Sequence, residues 1–461
     1  MQDNGRESSP VFDFLEKYIM GPMTKLSQFR MIRSITQAGM TSISFTIVGS
    51  MFLILNVLPQ AFPDLRGIWA VSFDQITELY MLANHATIGC IAVYFLIGTA
   101  FEYSRILSEE DGIDIKPLNG VLIAIMAMFM LAPQVGFVDG VISRITSIVA
   151  GEDGAWSSVV YNGWELGGDG PANFGATGIF CAFIIAWFAV RIYATCVDKK
   201  IVIKLPEVVP DGVARSFTAL VPGFLVAIVC MLIQTVFMMF GTNFYDFIAI
   251  PFGFVVNIVG TYPGILLIYF LIHALWLVGI HGATIVTSSL TAIAIANLVV
   301  NADGGAAVWA GEYNNAFVII GGSGCTLGLS ILMVTMAKSE QLKAIGKAEI
   351  VPAFFNINEP LLFGLPIVYN PALAVPFVLA PMAAATISYF AITLGIIPSV
   401  LVQVPWPTPV GIGAMISTGG SLVAAAVAVL DVVVATLIYF PFFKRYDKQL
   451  CEEEAAAKAA E

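Results

Sequence analysis

The stretch Val351–Val368, VPAFFNINEPLLFGLPIV, is apolar enough to leave water, yet no continuous helix can run through it. Pro352, Pro360 and Pro366 each lack a backbone N–H, and Pro360 also pushes Glu359 away from helical dihedrals. Gly364 weakens what helix remains. Three polar residues, Asn356, Asn358 and Glu359, sit inside the run. Non-helical backbone at membrane depth survives only where it is buried in protein or lines a cavity. The stretch therefore reads as a broken, non-spanning hairpin inside a polytopic membrane protein. Broken segments of this kind are the strongest sequence pointer to a transporter's binding site.

The rest of the chain supplies the membrane. Of 461 residues, 58% are hydrophobic and 11% charged, against about 25% charged in an average soluble domain. Too few polar side chains are present to cover a soluble surface. An ordinary soluble enzyme and a disordered chain are excluded. The acidic balance, 21 Lys and Arg against 32 Asp and Glu, argues against nucleic acid as a partner. No basic residue occurs in Ser216–Ala337 or in Ala348–Phe443, and each stretch carries only three acids: Asp246, Asp303 and Glu312, then Glu349, Glu359 and Asp431. An ionisable group at bilayer depth is costly, so each is a functional candidate by default.

At about 20 apolar residues per crossing, the pattern predicts about ten transmembrane helices with re-entrant pieces. The first half gives spans near 35–57, 79–101, 118–135, 173–197 and 216–241. The second half gives 262–280, 283–300, 317–337, 371–397 and 421–443. Three apolar pieces are too short or too broken to join them: 243–260, 351–368 and 398–420, the last with Pro398, Pro405, Pro407 and Pro409. Segment 243–260 reads as an amphipathic linker between the halves. Basic residues alternate along the connections: Lys17, Lys25, Arg30 and Arg33 precede the first span, Arg105 and Lys116 follow the second, and five more run from Arg191 to Arg215. The positive-inside rule then places both termini in the cytoplasm. Residues 1–30 are amphipathic and mixed in charge, unlike a cleavable signal. The expected organisation is 1–242, an N-terminal segment with five helices; 243–443, a second half with the broken hairpins; and 444–461, a solvated tail without evident chemistry.

His281, in Gly279-Ile280-His281-Gly282, sits where two glycines break an apolar helix, so imidazole and backbone both face a cavity; the competing reading is a core histidine bonded to a carbonyl. His273 and His85 read as core residues. In an extended segment Asn356 and Asn358 share one face. Amides and a carboxylate at the midplane suit a polyhydroxyl ligand; the competing reading is a network bracing the hairpin. Trp276 and Trp406, the latter in Pro405-Trp406-Pro407, offer flat platforms for the apolar face of a sugar ring, or belong to an interfacial aromatic belt. Asp431 interrupts the last span, as a proton site or a buried packing acid. The six cysteines have no metal spacing, and no metal or cofactor is expected. No phosphate-cradling loop, nucleophile elbow or HExxH is present. Without an ATPase domain, two classes remain: an ion-coupled (proton) sugar symporter using Asp431 or Glu359, or a permease subunit energised by a soluble partner.

The stretch Asn356–Pro371, NINEPLLFGLPIVYNP, resembles the signature of the membrane IIC component of phosphotransferase-system sugar permeases of the lactose/cellobiose/diacetylchitobiose family. LWLVGIHG (Leu275–Gly282) and YFPFFKRYDKQL (Tyr439–Leu450) are similar to that family too. SQFRMIRSITQAGM (Ser27–Met40) departs from its more basic form Q-R-H-x-x-A-I-R-D-G. The resemblance covers nearly the whole chain. It implies a homodimer in the bacterial cytoplasmic membrane, built from the N-terminal half, with a C-terminal half that binds sugar and moves as an elevator. It implies that His281 and Glu359 contact sugar hydroxyls near the phosphorylated position; in physical terms Glu359 would orient that hydroxyl or deprotonate it as general base, and His281 would hydrogen-bond it or steady the incoming charge. Gly282, Asn356, Asn358, Trp276 and Trp406 match motif positions around the sugar. The phosphoryl donor would be a phosphorylated IIB subunit, itself charged through IIA and the general phosphocarrier, since the chain carries no phospho-accepting residue of its own. A β-linked disaccharide, cellobiose-like first, is the expected cargo.

Overall fold

The computed structural model describes Lys25, 28–61, 63–138, 140–150, 156–167, 170–175, 178–203, 217–277, 282–364, Ile367 and 371–460. The described chain is mostly helical and divides into two compact units, one of 28–52 and 76–257, the other including 53–75 and 258–461.

The first unit carries most of α1 (Arg30–Ala61), then α2 (Thr77–Thr87), α3 (Ile91–Asp111), α4 (Pro117–Leu131), α5 (Ile179–Asp198), α6 (Leu220–Met239) and nearly all of α7 (Phe244–Gly260). Helices α3, α4 and α5 pack together over a core that includes Phe95 and Phe183, whose rings meet edge-on at 5.6 Å. The start of α1 is pinned to the end of α3: Arg30 donates both terminal nitrogens to Asp111 at 2.6 and 2.7 Å, and Arg33 pairs with Glu110. Two basic clusters expected on one side of the bilayer thus lie at one end of this unit. Gln234 on α6 caps the far end of α4, donating to the carbonyls of Met130, Leu131 and Pro133 at 2.8–3.2 Å. A helix end leaves its last carbonyls without intrahelical partners, and in a low-dielectric interior that would be costly.

The connection 136–172, which falls between two predicted spans as an external loop, forms strands. β1 (Val135–Val138) pairs antiparallel with β2 (Val141–Arg144), and β3 (Ser147–Ala150), β4 (Trp156–Tyr161), β5 (Trp164–Gly167) and β6 (Gly170–Pro171) form an antiparallel sheet in that order. Val, Ile and aromatic residues, which suit a pleated, half-buried surface, dominate these short runs. Trp164 packs against Phe129 and Phe174.

The second unit contains α8 (Tyr262–Leu277), α9 (Gly282–Ala302), α10 (Leu327–Met336), α11 (Glu340–Phe354), α12 (Glu359–Gly364), α13 (Pro371–Thr393), α14 (Ile412–Ser417) and α15 (Leu422–Ala460). Its long axis is the pair α13 and α15, against which α8 and α10 pack. Thr261 stops α7 and starts α8: its Oγ1 accepts the Gly264 N–H at 3.2 Å as an N-cap. The expected span 317–337 is not one helix. A π-helical turn, Asn314–Val318, is followed by a turn with positive φ at Gly321, Gly322, Gly324 and Cys325 before α10 begins. Segments 351–368 and 398–420 are broken: α11 runs through Pro352 and stops at Phe354, and beyond it the described residues of the two segments form only the short helices α12 and α14 between turns.

Among the described residues, five helices are long and apolar enough to cross a membrane, or six if α7 and α8, broken at Thr261, count as one span. Shorter apolar helices, Pro117–Leu131, Leu290–Ala302 and Leu327–Met336, accompany them. At 1.5 Å per residue, the 15-residue α4 is about 22 Å long, short of a bilayer core of about 30 Å.

The tail is more than a solvated end. α15 continues unbroken to Ala460, and two of its carboxylates cap α11. Asp447 accepts the N–H groups of Lys338 and Ser339 at 2.9–3.0 Å, and Glu454 accepts those of Glu340 and Gln341 at 3.1 Å. The hydroxyl of Ser339, the N-cap, takes the Leu342 N–H. Cys451, in this charged extension beyond the apolar 421–443, has its thiol pKa raised by burial and by Asp447 and Glu454. That is the opposite of an activated thiolate.

Candidate functional site

Asn358 is the hinge of the Asn-Glu-Pro turn. Its carbonyl accepts the Leu361 and Leu362 N–H groups at 3.1 and 2.9 Å, which starts α12 directly after it. Its side-chain amide points the other way, donating to the Ser323 carbonyl at 2.7 Å and Thr326 Oγ1 at 2.9 Å. Glu359 is the first residue of α12 and Pro360 the second, positions where proline's missing N–H costs nothing. The backbone of Glu359 is described; its side chain lies outside the described residues. His281 lies outside them entirely, just before Gly282 opens α9. Gly282 itself is set by packing, because a Cβ there would stand 2.0 Å from the Ile272 carbonyl of α8.

Asn356 is not extended. Its φ is 61°, the left-handed region that asparagine tolerates better than most residues. That turn sends the two asparagine amides to different partners rather than to one face. Asn356 Oδ1 accepts the Gly321 N–H at 2.9 Å, and Nδ2 donates to the carbonyls of Trp406 at 3.2 Å, Thr408 at 3.3 Å and Asn315 at 3.4 Å. One buried amide therefore ties together three broken pieces: 314–326, the turn at 355–358 and 400–411.

The Gly321–Cys325 turn is the common surface of this arrangement. Asn356 and Asn358 hold it from one direction. A Cβ on Gly322 would stand 2.3 Å from the Asn358 side chain, so only glycine allows that approach, and its φ of +92° requires glycine as well. From the other direction, the Gly324 N–H donates to His273 Nε2 at 2.9 Å, and the Gly324 carbonyl accepts from the Tyr439 hydroxyl at 2.8 Å. His273 Nδ1 lies 2.6 Å from the Tyr269 carbonyl. Since Nε2 accepts, Nδ1 must donate, and the ring is neutral with its proton on Nδ1. His273 is a fully buried core histidine.

The two tryptophans differ in setting. Trp276, on the last turn of α8, is 3% exposed, whereas Trp406 is 49% exposed at a rigid tip between two prolines. Thr408 Oγ1 closes that tip onto the Pro405 carbonyl at 2.6 Å. Asp431, in α15, is fully buried, and among the described residues neither of its oxygens has a hydrogen-bond partner.

Three more polar residues belong to the same network, and of these the sequence marks only Glu312 as a candidate. Glu312 accepts from Gln403 Nε2 at 2.6 Å and from the Asn315 amide. Asn301 of α9 donates to the Val400 carbonyl at 2.7 Å. The usable signal for Glu312 was its isolation in a basic-free stretch; Gln403 gave none beyond polarity.

The family model for the phosphotransferase system EIIC matches residues 37–381. The chain belongs to the phosphotransferase-system EIIC family. It is 32% identical to a cellobiose-specific EIIC component of Geobacillus stearothermophilus over 96% of this chain and 95% of that one. It is 30% identical to a lactose-specific EIICB component of Streptococcus mutans, over 95% of this chain and 72% of that one. The crystal structure of the transporter ChbC, the IIC component from the N,N'-diacetylchitobiose-specific phosphotransferase system, superposes with a TM-score of 0.83 at 29% identity, over 96% of this chain and 99% of that one. This EIIC chain is thus an integral protein of the bacterial plasma membrane. Nothing in these likenesses favours the proton-symporter alternative.

Proposed function

We propose that this EIIC chain imports a β-linked disaccharide, cellobiose-like first, and presents its 6-hydroxyl to a phosphorylated IIB partner. The observation that carries the reading is the Asn-Glu-Pro turn of a membrane-embedded EIIC chain, braced by Asn356 and Asn358 beside the exposed Trp406. Cellobiose, lactose and diacetylchitobiose, the sugars in the names of its relatives, are all β-linked disaccharides. The EIICB relative is consistent with a IIB partner that works at this membrane component.

In this mechanism Trp406 and Trp276 flank the apolar faces of the sugar, and polar groups fix its orientation. Glu359 takes the proton of the 6-hydroxyl as the hydroxyl oxygen bonds to phosphorus and the bond from phosphorus to the IIB side chain breaks, its electron pair leaving with IIB; His281 hydrogen-bonds the same hydroxyl. Gly282 lets α9 begin close behind His281. Asn356 and Asn358 act by positioning, since their amides are engaged within the protein. Phosphorylation adds charge that bars return through the membrane, so import becomes directional. The wider reading is a homodimer formed by residues 1–242, about ten crossings, cytoplasmic termini, and elevator movement of 243–443.

The deciding measurement is uptake of radiolabelled cellobiose into vesicles, with and without the phosphorylated soluble cascade. Sugar phosphate should accumulate only with the cascade. Accumulation of free sugar driven by a proton gradient alone would overturn the reading.

A further inference from the structure

Glu312 lies just before the π-helical turn at 314–318, and Gln403 lies in the broken segment that carries Trp406. Their side chains meet at 2.6 Å, donor nitrogen to carboxylate oxygen. The second carboxylate oxygen is taken by Asn315, whose own carbonyl receives the Asn356 amide. Asn356 in turn holds the Trp406 and Thr408 carbonyls. These bonds form a closed circuit: Glu312 to Gln403, along three residues to Trp406, across to Asn356, and back through Asn315 to Glu312. Gln403 is 5% exposed, and its oxygen stands 3.1 Å from where a Cβ on Gly311 would be. A closed polar circuit in a low-dielectric interior is stiff, because each member is costly to leave unpaired.

We infer that Glu312 and Gln403 are positioning residues for the sugar platform: their hydrogen bond fixes where Trp406 stands relative to the Asn-Glu-Pro turn, and thereby sets the affinity for the β-linked sugar. This rests on the sugar-site reading above. It deepens that reading by assigning two residues that touch no sugar. The Asn356 amide is the direct tie between the tip and the turn. Loss of the Glu312–Gln403 bond would open this circuit and loosen the tip beyond Gln403, leaving the Asn356 amide to hold it to the turn. Binding should then weaken, while transfer to bound sugar, which depends on Glu359, should not.

The test is a reciprocal exchange in the full-length protein in lipid nanodiscs, read as cellobiose Kd by calorimetry and as phosphorylation rate at saturating sugar with phosphorylated IIB. Gln403→Glu sets two carboxylates against each other at hydrogen-bond distance and should raise Kd roughly tenfold or more, the scale of one lost ordering interaction. Adding Glu312→Gln to it restores one donor and one acceptor, reversed, and should return Kd to within about threefold of wild type. The saturated rate should stay within about threefold throughout. Wild-type Kd in Gln403→Glu overturns the inference, as does a double variant that binds no better than Gln403→Glu. If Gln403→Glu is not recovered folded, Gln403→Ala removes the donor without adding charge, and an unchanged Kd there overturns it equally. Trp406→Phe separates this outcome from failure of the underlying reading. If that variant binds sugar as wild type does, Trp406 is no platform and the sugar-site reading fails with it. If Trp406→Phe weakens binding while the 312 and 403 variants do not, only the positioning role is lost.

Discussion

The Asn356 amide nitrogen donates to the Trp406 carbonyl at 3.2 Å and to the Thr408 carbonyl at 3.3 Å, so one side chain grips both sides of Pro407. The residue does this from a left-handed backbone, with φ of 61°. The two contributions can be separated by substitution. Asn356→Ala loses the amide and strains the backbone; Asn356→Gly loses the amide alone. We expect Asn356→Ala to cost about 2–4 kcal/mol, from buried partners left unpaired and a left-handed alanine. Asn356→Gly should recover about 1 kcal/mol of that. Thermal unfolding of the detergent-solubilised protein measures both. Equal stability of the two variants would show that the backbone conformation carries no strain.

His273 and His281 should respond in opposite ways. His273 has both ring nitrogens engaged, with Tyr269 and with the Gly324 N–H. His273→Ala should lower stability by about 2–4 kcal/mol through lost packing and an orphaned amide. His273→Gln retains an acceptor for Gly324 and should lose less. Phosphorylation of sugar by either variant, assayed well below its melting temperature, should match wild type. His281→Ala should instead weaken sugar binding or transfer with little change in stability. A His273 variant that folds normally but loses phosphorylation would move it into the functional set.

The C-terminal helix should matter through α11. Asp447 and Glu454 accept four backbone N–H groups at the start of that helix, whose other end leads into Asn356. Removing a helix cap costs about 0.5–2 kcal/mol. Asp447→Ala, or a stop after Leu450, should each destabilise by that amount, whereas Lys448→Ala, at a side chain 80% exposed, should cost about 0.5 kcal/mol or less. Unfolding midpoints in nanodiscs decide it. A truncated chain as stable as wild type would return the tail to a merely solvated end.

The parts of this protein that follow from local chemistry were legible before its structure. Apolar run length and two basic-free stretches disclose a membrane protein. Pro360 and the four prolines between Pro398 and Pro409 locate the broken segments, because a missing N–H is a property of one residue. The π-turn and glycine turn at 314–325 were not legible. They look like apolar helix, and what stops the helix is tertiary: His273, Tyr439, Asn356 and Asn358 offer the turn better partners than its own backbone does. The same limit applies to the asparagines. Alternation of Asn356 and Asn358 about Ile357 suggests one shared face, and only a left-handed φ at Asn356 sends their amides apart. The strands at 135–171 were hidden by a polar, glycine-rich connection; Glu312 stands out as a lone acid in an apolar stretch, but its pairing with Gln403 is hidden by their separation in sequence. The tail reads as solvated because Asp447 and Glu454 have no local partner; the N–H groups they cap lie more than 100 residues away.

Glu359 offers the sharpest test of the chemistry. Its position is fixed from behind: Asn358 is bonded to Ser323 and Thr326, and α12 begins on the Asn358 carbonyl. Replacing the carboxylate by an amide of the same shape leaves that scaffold and the first turn of α12 in place. Glutamine can still hydrogen-bond a sugar hydroxyl, but it cannot take its proton. If Glu359 is the general base, Glu359→Gln should therefore bind cellobiose within about tenfold of wild type while its phosphorylation rate with saturating phosphorylated IIB falls by about 10²–10⁴. If Glu359 only orients the sugar, the loss should appear in Kd and the saturated rate should survive. A single-turnover assay with preformed phosphorylated IIB separates these outcomes, since it excludes upstream phosphoryl transfer and product release. A rate equal to wild type would remove Glu359 from the proton-transfer step.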